Sequence, residues 1–365
     1  MRPGDEASPE EDRGPMTESI VEDESAAARA DPDRVVVEVT RGDAVESRHR
    51  GAAAVVDCEG RVLHAWGDVG RPVFPRSAIK PVQAIPLVET GAAEHFGLGD
   101  TEIALACASH GGEPMHVAAV RHWLERIGLG VDDLECGVHP PSHEPSAIAL
   151  WRAGETPTAV HNNCSGKHSG MLTTARHMGE PTKGYIAADH PVQRRVAAVI
   201  GEMSGADMTQ APMAPDGCSI PTIAIPLSAL ATAFARFAAP ETLPPARAAA
   251  VRRIHRAMVA RPEMIAGTGR LGTVLIRESG GAILGKTGAE GVYAAAVPGT
   301  RLGVAVKIDD GAGRASGVFV LEVLRRIGAL DEGLARRLAD FVRPVIRNRN
   351  GWRVGEVRPV PGWEG

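Results

Sequence analysis

Two blocks of the sequence, one toward each end of the chain, show the alternating and β-branched runs that predict β-strands. The first block predicts three strands, with a hairpin turn at 57–60 between the last two. The second block predicts an antiparallel meander with a turn at Pro298-Gly299. The predicted strands span residues 35–39, 51–56, 61–66, 273–276, 282–284, 291–297 and 302–308.

Helical spacing dominates the stretch between these blocks. Apolar residues recur three and four positions apart, as at Val117, Val120 and Leu124, while charged residues occupy the opposite face. The predicted helices span residues 114–127, 164–178, 191–203, 227–237, 245–260 and, after the second block, 316–327.

The order of strands, many helices, strands and a last helix predicts an α/β (α+β) fold. We expect an antiparallel sheet built from both chain ends, with a helical region inserted between them. Residues 34–74 and 266–342 would form the sheet domain, and residues 75–265 the mainly helical domain. Residues 1–33 are expected to be a disordered acidic tail, and residues 343–365 a C-terminal extension that the pattern does not place.

Composition narrows the class of protein. The 365 residues are 44% apolar, and the net charge of −5 divides into −8 for residues 1–33, from eleven acids and three arginines, and +3 for the rest. No basic stripe indicates a nucleic-acid partner, and no apolar run reaches membrane-spanning length. The N-terminus does not resemble a signal peptide, which predicts a cytoplasmic protein. The five cysteines are an odd number, which predicts reduced thiols rather than a set of disulfides.

Ser77 and Lys80, in Phe74-Pro-Arg-Ser-Ala-Ile-Lys-Pro81, are the first candidates for catalysis. Proline is tolerated in the first turn of a helix, so Ser77 is expected at a helix N-terminus, with Lys80 on the same face. A desolvated lysine can lose its proton and act as the base that activates a serine. Only five of the 40 basic residues are lysines, which makes each of them a candidate for chemistry that arginine cannot perform.

A polar cluster follows in Cys107-Ala-Ser-His-Gly-Gly-Glu-Pro-Met-His116. Ser109 is a second hydroxyl for the same site. The side chains of His110, Glu113 and His116 are alternative metal ligands, although their spacing matches no strong zinc signature. The other interpretation is a turn that caps the helix beginning at Pro114.

A second cluster, His161-Asn-Asn-Cys-Ser-Gly-Lys-His168, places Cys164 and Lys167 on one helical face. The segment Asp216-Gly-Cys218 supplies another isolated thiol. Two thiols and either a histidine or a neutral lysine amine can hold zinc, although lysine is a rare ligand. The alternative is that the thiols are small buried apolar side chains.

Lys286 lies in Gly285-Lys-Thr-Gly288, between two strand-like runs. This motif resembles the Lys-Thr-Gly edge strand of serine β-lactamases and penicillin-binding proteins, which pair it with an upstream Ser-x-x-Lys. A second cation near Lys80 would lower the pKa of Lys80, as a general base at neutral pH requires. The Ser-Asp-Asn motif of ordinary β-lactamases is missing.

Taken together, these motifs resemble the class 3, rhizobial-type L-asparaginase family, also called asparaginase II. The resemblance runs from about Val37 to Ile327. It is carried by the quoted segments, above all Asn162-Asn-Cys-Ser-Gly-Lys-His168, and by Val306-Lys-Ile-Asp-Asp-Gly311. It implies hydrolysis of L-asparagine to L-aspartate and ammonia, on a fold similar to serine β-lactamases and glutaminases.

The resemblance also implies roles for individual residues. The catalytic pairs are Ser77 with Lys80 and Ser109 with Lys286. A homodimer is expected, without an organic cofactor and with a zinc ion that modulates substrate binding rather than catalysing. The zinc ligands would be Cys164, Lys167 and Cys218, with Asp216 nearby. The residues expected to contact the substrate are Arg76, His110, Glu113, Asn163 and Cys164.

Two other functions fit the same residues. One is a β-lactam, peptide or glutamine hydrolase that uses the same serine. The other is a non-catalytic zinc- or thiol-sensing protein, in which Cys164 and Cys218 would be the functional residues. The sequence does not separate asparagine from glutamine as the substrate.

Overall fold

The structure, a computed structural model, describes residues 34–363. The predicted disordered tail, residues 1–33, lies outside them. The strands are β1 Val35–Arg41, β2 Ala44–Val56, β3 Val62–Trp66, β4 Pro72–Val73, β5 Met213–Pro215, β6 Pro221–Ile223, β7 Ile225–Pro226, β8 Leu284–Thr287, β9 Val292–Val297, β10 Leu302–Ile308, β11 Val345–Arg347 and β12 Arg353–Pro359.

Helices fill most of the chain between β4 and β8. The α-helices are α1 Lys80–Gln83, α2 Ile85–Glu89, α3 Ala92–His95, α4 Asp100–Ala106, α5 Pro114–Arg126, α6 Glu144–Arg152, α7 Ser165–His177, α8 Pro191–Ser204, α9 Leu227–Ala238, α10 Pro245–Ala260, α11 Glu263–Ala266, α12 Leu271–Glu278, α13 Gly313–Arg326, α14 Glu332–Arg337 and α15 Ala339–Val342. Short 3₁₀ segments are Arg76–Ile79, Val131–Asp133, Ala159–His161 and Pro240–Thr242. No helix within residues 34–363 is both long and apolar enough to cross a membrane.

One antiparallel sheet organises these elements, in the order β11-β12-β1-β2-β10-β9-β8, with β3 beside β2. The long strand β2 is its centre, because its first half pairs with β1 and its second half with β10 and β3. Strands β1–β3 precede the helical region and β8–β12 follow it. The predicted fold class, a sheet built from both ends around an inserted helical region, is therefore confirmed.

The sheet separates two apolar cores. Helix α9 packs on one face, where small side chains such as Ala54, Ala294 and Ala305 let it lie close to the strands. Helix α13 packs on the other face, which buries Tyr293 and Phe319. The first core continues into the inserted helices, so the site residues that those helices carry are fixed relative to the sheet.

One predicted strand is wrong. Residues 273–276 lie in helix α12, whose buried residues Gly272, Thr273, Leu275 and Ile276 form one helical face. A four-residue apolar run does not separate helix from strand by its period, and the packing of α12 on α11 and β8 decides the conformation.

The last part of the chain, which the pattern did not place, adds β12 beside β1 and β11 beside β12. The strand predicted at 51–56 is the second half of β2.

The division into a sheet domain and a helical domain stays a prediction.

The contact between α4 and α7 leaves no room for a side chain at Gly166. A Cβ atom there would lie 2.4 Å from the Leu105 carbonyl oxygen. Helix α4 ends shortly before Ser109 and α7 begins directly after Cys164, so this contact sets the distance between the two polar clusters.

We expect Gly166→Ala to lower the free energy of unfolding by about 1–3 kcal/mol, because overpacking a backbone contact outweighs the roughly 1 kcal/mol that alanine gains over glycine in a helix. Urea titration measures the change. Gly313→Ala, in α13, is the matched control, since nothing lies within 4 Å of the added Cβ. Equal stability of the two variants would contradict the close contact.

Candidate active site

Ser77 is partly exposed and lines a cavity of about 190 Å³. Drug-sized ligands occupy cavities of roughly 300–1,000 Å³, so this cavity suits a smaller molecule. Segments that are far apart in the sequence contribute its wall. The lining residues are Arg76, Ser77, His139, Asn162, Asn163, Cys164, Asp216, Gly217, Cys218 and Ala289.

The backbone around Ser77 is strained and tightly held. Arg76 has a φ of 51°, in the left-handed region that typically costs a non-glycine residue about 1–3 kcal/mol. The end of β8 lies against this turn, because a Cβ atom at Gly288 would be 2.7 Å from the Pro75 carbonyl oxygen. Ser77 lies in the 3₁₀ segment Arg76–Ile79, and α1 begins at Lys80. The start of α1 is therefore within one turn of Ser77, close to the helix N-terminus that the sequence predicts there.

The Ser109 hydroxyl, which does not line the cavity, lies between two lysine amines. The Lys80 Nζ atom is 3.0 Å from Ser109 Oγ, and the Lys286 Nζ atom is 2.9 Å from it. Lys80 also donates to the Ala108 carbonyl oxygen and to Cys164 Sγ, the latter at 3.2 Å. Lys286, on the edge strand β8, thus meets Ser109 across 177 residues of sequence.

Ser77 and Lys80 make no direct hydrogen bond. Within residues 34–363, the Ser77 hydroxyl has no hydrogen-bond partner, while the Lys80 amine is directed to Ser109 and Cys164. The two residues are nevertheless three positions apart on consecutive helical turns, which puts their side chains on one face. The structure therefore brings Lys80, Ser109 and Lys286 together, and it places Ser77 in the wall of the cavity that Cys164 also lines.

Burial lowers the pKa of both lysine amines. Lys80 and Lys286 are almost completely inaccessible to solvent. Burial lowers the pKa of Lys80, and the neighbouring Cys164 opposes this only in part. Burial, reinforced by the charge of Lys80, lowers the pKa of Lys286 well below its ordinary value. A hydroxyl between two such amines can donate to one and accept from the other, which gives a path for a proton.

The cavity wall next to Lys80 contains a thiolate. A hydrogen bond from the Cys218 thiol, together with the charge of Lys167, holds the pKa of Cys164 well below its ordinary value despite burial. Burial lowers the pKa of Lys167, but the negative charge of Cys164 and the contact with Cys218 raise it by more. The Lys167 amine is therefore protonated, and it donates to Cys218 Sγ at 3.0 Å.

The three predicted zinc ligands, Cys164, Lys167 and Cys218, do converge. Residues 34–363 contain no group of three His, Cys, Asp or Glu side chains that could hold a metal ion. The set therefore fits zinc only if the Lys167 amine serves as the third protein ligand, and a metal would first have to displace its proton.

An ion pair occupies another part of the wall. Arg76 Nε donates to Asp216 Oδ1 at 2.6 Å. Burial raises the pKa of Asp216, but Lys167 and Arg76 lower it by more, so the carboxyl is ionised. The cavity thus presents one carboxylate and one guanidinium beside Ser77.

Asn163 and His139 complete the wall. The Asn163 backbone N–H donates to His139 Nε2 at 2.9 Å, and His139 Nδ1 lies 2.7 Å from the Pro140 carbonyl oxygen. The Asn163 side-chain amide has no hydrogen-bond partner within residues 34–363 and remains available to a ligand. Sequence reasoning missed His139, which lies in a proline-rich loop without a motif.

His110 and Glu113 lie away from the cavity. His110 is buried, with Nε2 at 2.9 Å from Ser165 Oγ and Nδ1 accepting from the Gly112 N–H. Glu113 accepts hydrogen bonds from the Thr268 backbone and hydroxyl. These contacts occupy the atoms that a metal would need, and a contact with substrate stays a prediction for both residues.

Comparison with known proteins gives one family. The sequence profile of a family described as L-asparaginase II matches residues 37–359. This range covers most of the chain. It includes all the residues that line the cavity, and it also includes strands β11 and β12. No curated protein matches the sequence significantly.

Among solved structures, the chain is similar to a β-lactamase from Mycobacterium bovis, with 18% identity and a TM-score of 0.39 over 80% of this chain and 94% of the other. It is also similar to a D-alanine carboxypeptidase, AmpC, from Burkholderia cenocepacia. That similarity has 13% identity and a TM-score of 0.36, over 80% of this chain and 93% of the other.

We expect Lys286→Met to be more stable than the wild type at about pH 7. At pH values between the lowered pKa of Lys286 in the folded protein and its ordinary value of 10.5, the unfolded chain binds more protons at residue 286 than the folded chain does. The wild type therefore gains stability as the pH rises through this range. The advantage of the variant should therefore shrink toward about pH 10, as chemical denaturation across this pH range would measure.

The control for this comparison is Lys183→Met, because the Lys183 side chain is 67% exposed. Its stability difference from the wild type should not show the same trend with pH. A Lys286→Met difference that stays constant across the range would show that residue 286 is buried as an ammonium.

Proposed function

This chain belongs to the L-asparaginase II family, and on that premise we propose that it hydrolyses L-asparagine to L-aspartate and ammonia with Ser77 as the nucleophile. The observation that carries the proposal is the chain of three buried side chains, Lys80, Ser109 and Lys286. Lys80 connects this chain to a small cavity through its contact with Cys164, and both Cys164 and Ser77 line that cavity. A serine needs a base to become a nucleophile, and a neutral lysine is a suitable one.

In the proposed first half-reaction, the Ser77 hydroxyl loses its proton to the neutral Lys80 amine and attacks the side-chain amide carbon. The C–N bond breaks, and the proton passes from Lys80 to the leaving group, which departs as ammonia. Ser109 and Lys286 hold Lys80 in place and share its proton through their hydrogen bonds. The apo separation of Ser77 and Lys80 is compatible with this role, because catalytic hydrogen bonds often form only in the substrate complex.

In the second half-reaction, a water molecule gives a proton to Lys80 and attacks the aspartyl ester on Ser77. The ester bond to Ser77 breaks, Lys80 returns the proton to the serine oxygen, and aspartate leaves. The Asn163 side-chain amide is suited to orient the substrate carboxamide, since it lines the cavity without a partner among residues 34–363.

Zinc is part of the proposal only as a modulator. When bound by Cys164, Cys218 and a neutral Lys167, it would supply positive charge beside the cavity. Cys164 also positions Lys80, because Lys80 donates to its Sγ atom. The expected homodimer and cytoplasmic location likewise stay proposals.

We expect Ser77→Ala to abolish ammonia release from asparagine, and Lys80→Arg to lower kcat/KM by at least about 100-fold, because arginine keeps the charge but cannot act as the base. An ammonia-release assay measures both. Lys183→Arg, at an exposed lysine, is the matched control and should retain full activity. Near-full activity of Lys80→Arg would contradict the assignment of the base.

The same assay separates the alternative functions. Asparagine, glutamine and a penicillin are offered in parallel, and covalent labelling by the penicillin is followed by mass spectrometry. The proposal predicts the highest kcat/KM for asparagine. Penicillin labelling without ammonia release would favour a β-lactam hydrolase, and inactivity toward all three would favour a zinc- or thiol-sensing protein.

Zinc binding has its own test. We expect the wild type, dialysed against zinc and then buffer, to retain about one zinc ion per chain, and Cys218→Ser to retain much less, because the set has only two sulfur ligands. Elemental analysis by mass spectrometry measures the metal. Cys58→Ser, another buried free cysteine, is the control. A wild type that retains no zinc would remove the metal from the proposal.

A further inference from the structure

We infer that Asp216 and Arg76 form a subsite for the α-ammonium and α-carboxylate groups of a free amino acid. This inference rests on the proposed function, because it assigns the residues that hold the α-substituents of the proposed substrate in the same cavity.

The position of the pair supports this role. Of the described residues that line the cavity, Asp216 is the one carboxylate and Arg76 the one guanidinium. Their side chains remain 10% and 26% exposed, so a ligand in the cavity can reach both. Arg76 directly precedes Ser77, which places the charged pair next to the proposed nucleophile.

Both partners have hydrogen-bonding capacity left. Asp216 Oδ1 accepts from Arg76 Nε and from the Gly217 N–H, at 2.6 and 2.8 Å. Asp216 Oδ2 receives only a long contact from the Cys218 thiol, at 3.8 Å. The terminal nitrogens of Arg76 make no hydrogen bond to another residue within 34–363. A substrate can thus use Oδ2 and the outer edge of the guanidinium without breaking the pair.

The chemistry of a free amino acid matches this arrangement. Its ammonium and carboxylate groups are attached to one carbon, so they meet an adjacent carboxylate and guanidinium together. Hydrogen bonds between ionised partners are roughly twice as strong as neutral ones, and a guanidinium suits a carboxylate in particular. In a peptide, the α-amine of asparagine is acylated, so Asp216 would face a neutral amide instead of an ammonium group. We therefore expect the subsite to bind a peptide poorly.

A structural ion pair elsewhere provides the comparison. Arg61 Nε donates to Asp57 Oδ2 at 2.6 Å, and the Asp57 side chain is 10% exposed, as for Asp216. This pair lies in the turn between β2 and β3 and does not line the cavity. Asp57→Asn therefore controls for the loss of a similar ion pair.

The test compares L-asparagine with succinamic acid, which lacks only the α-ammonium group. The quantity measured is the ratio of their kcat/KM values for the wild type, Asp216→Asn and Asp57→Asn, with zinc removed and with zinc added. In Asp216→Asn, one charge-assisted hydrogen bond to the α-ammonium group is lost. The ratio of kcat/KM for asparagine to kcat/KM for succinamic acid should therefore be lower than in the wild type by about tenfold or more, both with and without zinc. The ratio should be unchanged in Asp57→Asn.

The reciprocal test uses 3-aminopropanamide, which lacks only the α-carboxylate. Arg76→Gln should lower the preference for asparagine over this compound by a similar factor. The wild type also tests the inference without any variant, because N-acetyl-L-asparagine should be hydrolysed at least about 100-fold more slowly than asparagine when the pair selects both charges.

The outcomes separate this inference from the proposed function. A wild type that releases no ammonia from asparagine defeats the proposed function and the subsite with it. An active wild type whose Asp216→Asn variant loses activity equally toward asparagine and succinamic acid overturns the subsite alone, because the pair then only supports the loop. Equal rates for asparagine and N-acetyl-L-asparagine overturn it as well.

Discussion

The hydroxyl of Ser109, held between the amines of Lys80 and Lys286, is the interaction on which the site depends. Burial and mutual repulsion both penalise the charged forms of these two amines, and they lower the pKa of Lys80 and, further, that of Lys286. In the proposed mechanism both amines are uncharged at neutral pH. Helix α1, the segment after α4 and strand β8 supply the three residues, so the site exists only when the sheet and the inserted helices are assembled.

Charge is arranged in two layers around this centre. The cavity wall carries ionised groups that compensate one another, the thiolate of Cys164 with the ammonium of Lys167 and the carboxylate of Asp216 with Arg76. In contact with the wall through Cys164 lies Lys80, and burial lowers the pKa of both Lys80 and Lys286. In the proposed mechanism, the ionised groups bind a charged amino acid and the uncharged amines move protons, so the two layers would divide recognition from chemistry.

Much of the fold and several residues of the candidate site could be predicted from the sequence. The order of strand and helix patterns predicts the sheet built from both ends, and the scarcity of lysine draws attention to Lys80, Lys167 and Lys286. The helix at 273–276 was not predictable, because packing rather than periodicity decides a run of four apolar residues. Which amine faces which hydroxyl, and that His139 reaches the cavity, follow from long-range packing that no local motif encodes.

The most direct test of the central claim is the titration of the lysine side chains by NMR, with nitrogen-15 label in lysine only. The chain has five lysines, and Lys→Arg variants assign each signal. The account predicts that the signals of Lys80 and Lys286 titrate below the ordinary lysine pKa of 10.5, that of Lys286 well below it. Titration of both at that ordinary value would show two buried ammonium groups around Ser109 and would contradict the account.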